Sequence, residues 1–221
     1  MKVYKNLTII GSSHIAKESI LHVKEFISKN KPEIIALELD RKRFIALFDK
    51  RKPSLRDIGE IGFWGFLINL IGAYIEKKLG KLVGVSPGSE MKMAVSLAKD
   101  YNAKIALIDQ DISITLKRLI KKITFKEKLR ILKDLLKGLI LRKSDIEPFD
   151  LTKVPSEKLI LKLISKVKEM YPSIYEVLIK ERNHIMAKAL NKIMNDNKDS
   201  KILAIIGAGH EKRVYEIIKG N

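Results

Sequence analysis

Two of the four histidines occur in matching contexts, each directly after an apolar run and a glycine-containing turn. His14 follows Gly11-Ser12-Ser13, and His210 follows Gly207-Ala208-Gly209. Glycine lets the backbone turn sharply off a strand, so both imidazoles would lie at the mouth of a sheet, free to ligate a metal or move a proton. Alternatively, a serine caps a helix and each histidine is an ordinary surface residue. The repetition of the pattern favours a shared site.

Carboxylates end two further apolar runs. Glu38 and Asp40 close the second run of the chain, and Asp109 and Asp111 close the third. If these runs are parallel strands, their carboxyl ends meet at one edge of the sheet, where open α/β sheets bind ligands. The sequence therefore predicts one site that combines imidazole and carboxylate groups, a set suited to a transition metal or to acid–base chemistry.

The elements that would position these groups alternate between strand and helix. Residues 15–29, between the first two runs, have helical periodicity, which makes a right-handed strand–helix–strand crossover the default. The four runs are near-continuously apolar, as are strands covered on both faces: 7–14, 34–40, 104–111 and 202–210. We expect an α/β fold with a mainly parallel central sheet, flanking helices and a large helical insertion.

The 221 residues are enough for one substantial domain, since compact domains typically contain ~100–200 residues. We therefore expect a single domain over residues 1–221. The segments 55–101 and 113–198 are too long for loops and are predicted as helical insertions. The uncharged stretch 61–75 is shorter than the ~20 residues of a transmembrane helix. It is interpreted as a buried, interfacial or membrane-touching helix, or as part of a substrate groove or a homodimer interface.

Turn residues mark two helix starts in these insertions. Pro87-Gly88-Ser89 predicts a helix that begins at the turn. Ser173 and Glu176 form a capping-box pattern and predict a helix over about 174–195. In a capping box, each of the two side chains accepts a hydrogen bond from the free backbone N–H of the other residue.

Three charged residues of these helices are candidates for chemistry. Glu181 and Arg182 fall on the apolar stripe of the predicted helix, and buried charges need partners. A structural ion pair explains them equally well. Glu90 stands at the start of the other helix, where the helix dipole also favours an acid.

The composition excludes several kinds of protein and site. Without cysteine, the chain has no disulfides, thiol nucleophiles or cysteine zinc sites. It contains no Walker sequence, complete dinucleotide fingerprint, HExxH motif or GxSxG elbow. The apolar run Leu7–Ile10 is too short for a secretory signal, so a cytoplasmic location is expected.

The net charge of +18 is concentrated in one segment. Residues 113–143 contain eleven Lys and Arg against two acids, interleaved with Leu and Ile. This pattern is typical of a basic amphipathic helix at an anionic membrane surface, or of a solvated helix that packs its Leu face on the core. A nucleic-acid partner is not expected, because the segment has few aromatics and few Arg and no recognised binding motif. Lysine outnumbers arginine 35 to 9, a bias reported for proteins of hot environments.

The motifs, in this order, resemble those of a TraB domain, of the group that includes the TraB and PrgY pheromone-shutdown proteins and is related to Tiki proteins. The resemblance spans nearly the whole chain and rests on these motifs: GSSH with Glu18-Ser19, ELD at 38–40 followed by Arg41, PGSEM around Glu90, ID-x-D at 108–111 followed by Thr115 and Arg118, ERNHIM from Glu181, and GAGH. Residue 183 is Asn where many members carry Asp, which argues against an acid role there.

The resemblance implies a fold related to the erythromycin esterase and ChaN-like group, and a metal-dependent protease or hydrolase site. It carries that site onto particular residues: His14, Glu38, Glu181, Arg182 and His210, with Glu90 as a further candidate. Members in bacteria and archaea often continue into a C-terminal membrane region, so we expect this chain to be the soluble portion of a longer protein.

These residues suggest a mechanism for a peptide-like substrate. The ligands of a divalent ion (Zn, Mn, Fe or Co), whose open position binds water, would be His14, His210 and Glu38. Glu181 or Glu90 would take the proton as general base, and Arg182 would stabilise the oxyanion or a substrate carboxylate. The surrounding polar residues would orient ligands or substrate: Glu18, Arg41, Asp109 and Asp111. The competing hypothesis is a non-enzymatic module that binds or sequesters a signal peptide at a membrane surface.

Overall fold

The computed structural model describes residues 1–13, 17–49, 88–141 and 155–220. Within them, five strands form one sheet: β1 (Lys2–Tyr4), β2 (Leu7–Ser12), β3 (Ile34–Leu37), β4 (Lys104–Leu107) and β5 (Ile202–Gly207). Their spatial order is β1-β2-β5-β3-β4. β2, β5, β3 and β4 pair in parallel, whereas β1 pairs with β2 in antiparallel orientation. The predicted α/β class is confirmed.

Each of the four predicted runs contains one strand, and each strand ends before its polar residues. The edge strand β1 was not expected from the sequence. It has only three residues, and the side chain between Lys2 and Tyr4, that of Val3, is exposed, so no apolar run marks it.

The register aligns the carboxyl ends of the parallel strands. Ser12 of β2 pairs with Gly207 of β5, while Leu37 of β3 pairs with Ile205 of β5 and Leu107 of β4. Residues that directly follow these strands therefore start from a common edge of the sheet.

Helices connect the strands and flank the sheet: α1 (Lys17–Asn30), α2 (Arg41–Phe48), α3 (Ser89–Asp100), α4 (Ile112–Lys122), α5 (Phe125–Leu141), α6 (Glu157–Met170), α7 (Pro172–Ile174), a π-helix (Tyr175–Glu181), α8 (Arg182–Asp196) and α9 (Ala208–Gly220). Buried side chains of α8 and α9 pack on one face of the sheet, and those of α1 and α3 pack on the other. None of the helices described is both long and apolar enough to cross a lipid bilayer. Residues 61–75 lie outside the described part of the chain.

Both predicted helix starts correspond to helices. The first helix begins at Ser89 and buries Met91, Ala94 and Ala98. The second region is helical from Pro172 to Asp196, but it is divided into α7, the π-helix and α8.

The predicted capping box of Ser173 and Glu176 is wrong. Because the helix already starts at Pro172, Ser173 lies in its first turn, and its backbone N–H donates to Glu127 Oε1 at 2.8 Å. The reciprocal pair occurs instead at the start of α5. There Thr124 N–H donates to Glu127 Oε2 at 2.9 Å, and Glu127 N–H donates to Thr124 Oγ1 at 3.2 Å. One buried carboxylate thus caps α5 and holds α7 against it.

We expect Glu127→Ala to lower the free energy of unfolding by about 2 kcal/mol at neutral pH, because donors of Thr124 and Ser173 lose their acceptor. Burial alone would raise the pKa of Glu127, but hydrogen bonds from Thr124 and Ser173 hold this pKa below its ordinary value of 4.5. The stabilisation is therefore complete above pH 4.5 and is lost as the pH falls through the lowered folded-state pKa. Urea unfolding at neutral pH and at an acid pH below the folded-state pKa measures the free energy of unfolding of the variant and the wild type. Glu169→Ala, at an exposed position, is the control. An equal deficit at neutral and acid pH would contradict the capping role.

Candidate functional site

Four charged or titratable side chains meet at the carboxyl edge of the sheet. Glu38 directly follows β3, Asp109 lies just beyond β4, and His210 is in the first turn of α9, directly after β5. Arg182, the first residue of α8, reaches them from the helical layer. All four side chains are largely buried, and that of Asp109 is completely so. We refer to these four residues as the Arg182 cluster.

Arg182 is the centre of this cluster. Its Nη2 donates to Glu38 Oε1 and to Asp109 Oδ2, and its Nε donates to both carboxylate oxygens of Asp109 at 3.1 Å. Nη1 donates to the carbonyl oxygen of Leu178 at 3.2 Å. Burial opposes the charge of Arg182, but the carboxylates of Glu38 and Asp109 raise its pKa above the ordinary value. The guanidinium is therefore a permanent positive charge between two buried carboxylates.

Asp109 is held between two guanidinium groups. Besides Arg182, it accepts from Arg43 Nη2, and its Oδ1 accepts from Gln110 N–H at 2.7 Å. Burial alone would raise the pKa of Asp109, but Arg182 and Arg43 hold it below its ordinary value. Arg43 is itself oriented by Asp40, which accepts from Arg43 Nε at 2.6 Å and caps α2. Asp109 is consequently ionised and suited to positioning Arg182, not to taking up a proton.

Glu38 and His210 form the other side of the cluster. The second oxygen of Glu38 accepts from Gly207 N–H, and Oε1 lies 3.5 Å from His210 Nε2. The opposite ring nitrogen, Nδ1, lies 2.7 Å from Asn183 Oδ1. Because an amide oxygen can only accept, we assign the hydrogen to Nδ1. His210 Nε2 then carries the lone pair, which can accept from Arg182 Nη1, 3.4 Å away.

The glycines beside the two histidines act differently from the prediction. Gly11 and Gly207 lie within strands and Gly209 lies in α9, whereas the described glycine with positive φ is Gly88. A Cβ at Gly11 would come within 3.2 Å of Ala208 Cα. Gly11 therefore permits the close approach of α9 to β2 instead of making a sharp turn.

Two candidate bases lie away from these contacts. Glu181 accepts two hydrogen bonds from Arg118, at 2.7 and 2.8 Å, and one from Lys122 at 3.3 Å. The hydrogen bonds from Arg118 hold the pKa of Glu181 below its ordinary value. Glu90 is buried in the first turn of α3, on the side of the sheet that carries α1.

The remaining predicted residues have separate positions. Asp111 caps α4 by accepting from Ser113 N–H at 2.7 Å. Glu18 and Arg41 are exposed on α1 and α2. His14 lies outside the described residues. Of the predicted set, the structure therefore brings together Glu38, Asp109, Arg182 and His210.

Sequence reasoning missed the residues that hold this cluster in place. Asn183 orients His210, and Arg43 joins Asp40 to Asp109. The one available signal for Asn183 was its place beside Arg182 in the ERNHIM motif. The signal for Arg43 was its position three residues after Asp40, a spacing that brings two side chains together at the start of a helix.

The donor chemistry of the cluster fits part of a metal site. His210 Nε2 and Glu38 Oε1 are 3.5 Å apart, and two ligands bound tetrahedrally at about 2.1 Å lie about 3.4 Å from each other. In the described ranges, no group of three His, Asp or Glu is arranged to hold a metal ion. A complete site would need another ligand, for which His14 is the sequence candidate.

A cavity of about 230 Å³ lies next to the cluster. We call it the Ile164 slot, and it is lined by residues of α6, the π-helix and α9. Its apolar wall includes Ile160, Ile164, Tyr175 and Ile179, and the rest of its lining includes the charged residues Glu157, Glu211, Lys212, Arg213 and Glu216. The buried Asn183 is also part of its lining. The amide that orients His210 therefore separates the slot from the imidazole.

Comparisons with known proteins give a consistent result over nearly the whole chain. A model of the TraB/PrgY/gumN family matches residues 3–219. An uncharacterized protein of Methanocaldococcus jannaschii is 41% identical over 217 residues, which cover 97% of this chain and 53% of that protein. A human TraB domain-containing protein is 21% identical over 228 residues, covering 91% of this chain and 60% of its own length. The chain thus spans about half the length of the curated relatives it matches.

Proposed function

The chain belongs to the TraB/PrgY/gumN family, and from this premise and the geometry of the Arg182 cluster we propose that it is a metal-dependent hydrolase of peptide-like substrates. The observation that carries the proposal is the position of His210 Nε2. It lies 3.5 Å from the buried carboxylate of Glu38 and 3.4 Å from the buried guanidinium of Arg182. The contact of Asn183 with the opposite ring nitrogen, Nδ1, sets the tautomer. Imidazole, carboxylate and cation so arranged are suited to carbonyl chemistry.

A divalent ion held by His210, Glu38 and His14 would lower the pKa of a bound water and polarise a substrate carbonyl. Asn183 keeps the lone pair of His210 on Nε2, the nitrogen that faces the cluster. Arg182 Nη1 contacts neither carboxylate. It donates to the carbonyl oxygen of Leu178 and lies 3.4 Å from His210 Nε2, so its second N–H would turn from the imidazole to bind an oxyanion or a substrate carboxylate.

Glu90 is the general base that we retain from the two predicted candidates. Glu181 is a poor base, because hydrogen bonds from Arg118 hold its pKa below its ordinary value. Glu90 is buried in the first turn of α3, close in sequence to the turn that opens this helix.

The Ile164 slot supports a peptide-like substrate. Ile160, Ile164, Tyr175 and Ile179 give it an apolar wall beside charged residues of α6 and α9, and its volume of about 230 Å³ suits one large side chain. Because Asn183 lines the slot and contacts His210, a side chain in the slot would place the neighbouring peptide group beside the amide that orients the imidazole. We therefore propose cleavage next to an aliphatic or aromatic residue.

Hydrolysis of an internally quenched peptide library, with Zn, Mn or Co added separately, tests the proposal. We expect cleavage next to large apolar residues, and Ile164→Trp should lower kcat/KM for these peptides by at least about tenfold, because the indole fills the slot. Ser165→Trp introduces the same indole at the neighbouring, exposed position of α6 and should change little. Absence of cleavage with every metal would overturn the hydrolase. Equal effects of the two variants would overturn the role of the slot.

Peptide binding without turnover is the second candidate function. It is favoured by the metal-site geometry, since in the described part of the chain only two of the candidate ligands, Glu38 and His210, come within reach of one ion. In that case the slot would take an apolar side chain and Arg182 a peptide carboxylate. Saturable binding of the library peptides by a protein that never cleaves them would favour this function.

A further inference from the structure

The apolar residues of α4 and α5 face in different directions. On α4, Leu116 and Leu119 are buried in the core, as is Thr115, and Ile114 is 51% exposed. On α5, Phe125, Leu129 and Leu132 are 75%, 51% and 55% exposed. Their spacing of four and three residues places them on one side of the helix, which we call the Phe125 face. The Leu-rich pattern predicted to pack on the core therefore does so on α4 and not on the described part of α5.

Positive charge surrounds this face. Lys126 and Lys133 are exposed and lie three residues before and four after Leu129, so they are on the same side of α5. Over residues 113–134 there are eight Lys and Arg against two acids. The acids are engaged elsewhere: Glu127 is buried in the α5 cap, and Asp134 accepts from the Tyr171 hydroxyl.

Three large apolar side chains in a row between lysines are unusual on the surface of a soluble protein. Their combination of apolar and positively charged side chains is complementary to the surface of a bilayer that contains anionic lipid. There, apolar side chains enter the boundary between head groups and acyl chains, while lysines reach the phosphates. A second copy of this chain fits less well, because two faces with the same excess of lysines would repel each other.

We propose that the Phe125 face is a docking site for an anionic lipid bilayer, with α5 lying along the membrane plane. This function is independent of the hydrolase. It would hold the Arg182 cluster close to the membrane, because α4, eleven residues or about 17 Å long, connects Asp109 to the start of α5.

Flotation with vesicles of phosphatidylcholine, alone or mixed with phosphatidylglycerol, tests this proposal. The wild-type protein should float with the mixed vesicles and stay behind with phosphatidylcholine alone. Simultaneous Phe125→Ser, Leu129→Ser and Leu132→Ser should reduce the bound fraction at least about tenfold. The matched control removes one Phe and two aliphatic residues that are also more than half exposed, on α1 and α2, through Leu21→Ser, Ile45→Ser and Phe48→Ser. This control should bind like the wild type.

A second variant tests the charge without changing the apolar residues. The double variant Lys126→Gln/Lys133→Gln should bind the mixed vesicles more weakly. The binding that remains should depend less on salt concentration than that of the wild type. Each of three results would overturn the proposal: no binding to mixed vesicles, equal binding to both vesicle types, or equal loss in the control triple variant. Light scattering that shows a dimer, lost in the Phe125-face variant, would instead assign the face to a second copy of the chain.

Discussion

Arg182→Met is expected to lower the free energy of unfolding by about 3–5 kcal/mol at neutral pH, the cost of leaving buried charges without their partner. Arg182 donates to Glu38 and Asp109, both of which are almost completely removed from water. Methionine keeps much of the volume but none of the donors. In the variant, Glu38 would lose the guanidinium and keep contacts such as the hydrogen bond from Gly207 N–H. Asp109 would have Arg43 as its remaining guanidinium partner.

The effect should depend on pH in a direction that identifies its cause. The two arginines hold the pKa of Asp109 below its ordinary value of 3.8, against the effect of burial. This stabilisation is complete above pH 3.8 and is lost as the pH falls through the folded-state value. In Arg182→Met the carboxylates instead gain protons more readily. The difference in the free energy of unfolding between wild type and variant, measured by urea unfolding, should therefore become smaller at acid pH.

Arg118→Met is the matched control for this prediction. Arg118 also forms a two-bond ion pair, at 2.7 and 2.8 Å, but its side chain is 54% exposed. Exposed pairs contribute little, so the control should unfold close to the wild type. A deficit in Arg118→Met as large as that in Arg182→Met would show that burial is not what makes the Arg182 cluster important.

The strands, and the meeting of their polar ends, were predictable because continuous apolar runs identify buried strands and parallel strands share an edge. Glu38, Asp109 and His210 come together for that reason. The ion pairs were not predictable in detail. Arg43 reaches Asp109, and Ser173 reaches Glu127, across elements distant in sequence, and helix packing alone decides such contacts.

Glu181 and Arg182 separate at the end of the π-helix, because neighbouring residues of a helix point to different sides of its axis. A periodicity of 3.6 residues placed both on the apolar stripe of one α-helix. A π-helix closes its turns over five residues, so the positions after it no longer follow that count. In the structure Glu181 turns to α4, and Arg182 turns to the sheet. Sequence periodicity could find the pair but not assign a role to each member.

Wild-type protein is expected to bind a divalent metal stoichiometrically, and His210→Ala should weaken that binding at least about a hundredfold, because an imidazole ligand is lost. Calorimetric titration with Zn, Mn and Co, together with elemental analysis of the purified protein, measures both. His184→Ala is the matched control, since His184 is exposed and lies two residues from Arg182. It should bind like the wild type. The His14→Ala/His210→Ala variant should bind no metal at this site.

Asn183→Leu distinguishes the proposed arrangement from a histidine that binds metal by itself. Asn183 is not one of the proposed ligands, yet its oxygen, 2.7 Å from Nδ1, keeps the lone pair of His210 on the opposite nitrogen. Losing such an orienting partner typically weakens metal affinity by about ten- to a hundredfold, so the metal affinity of this variant should fall between those of His184→Ala and His210→Ala.

Unchanged affinity in both His14→Ala and His210→Ala would refute the metal site. If the folded wild type binds no metal, the cleft would instead support peptide binding without turnover, because Arg182 and the Ile164 slot do not depend on an ion.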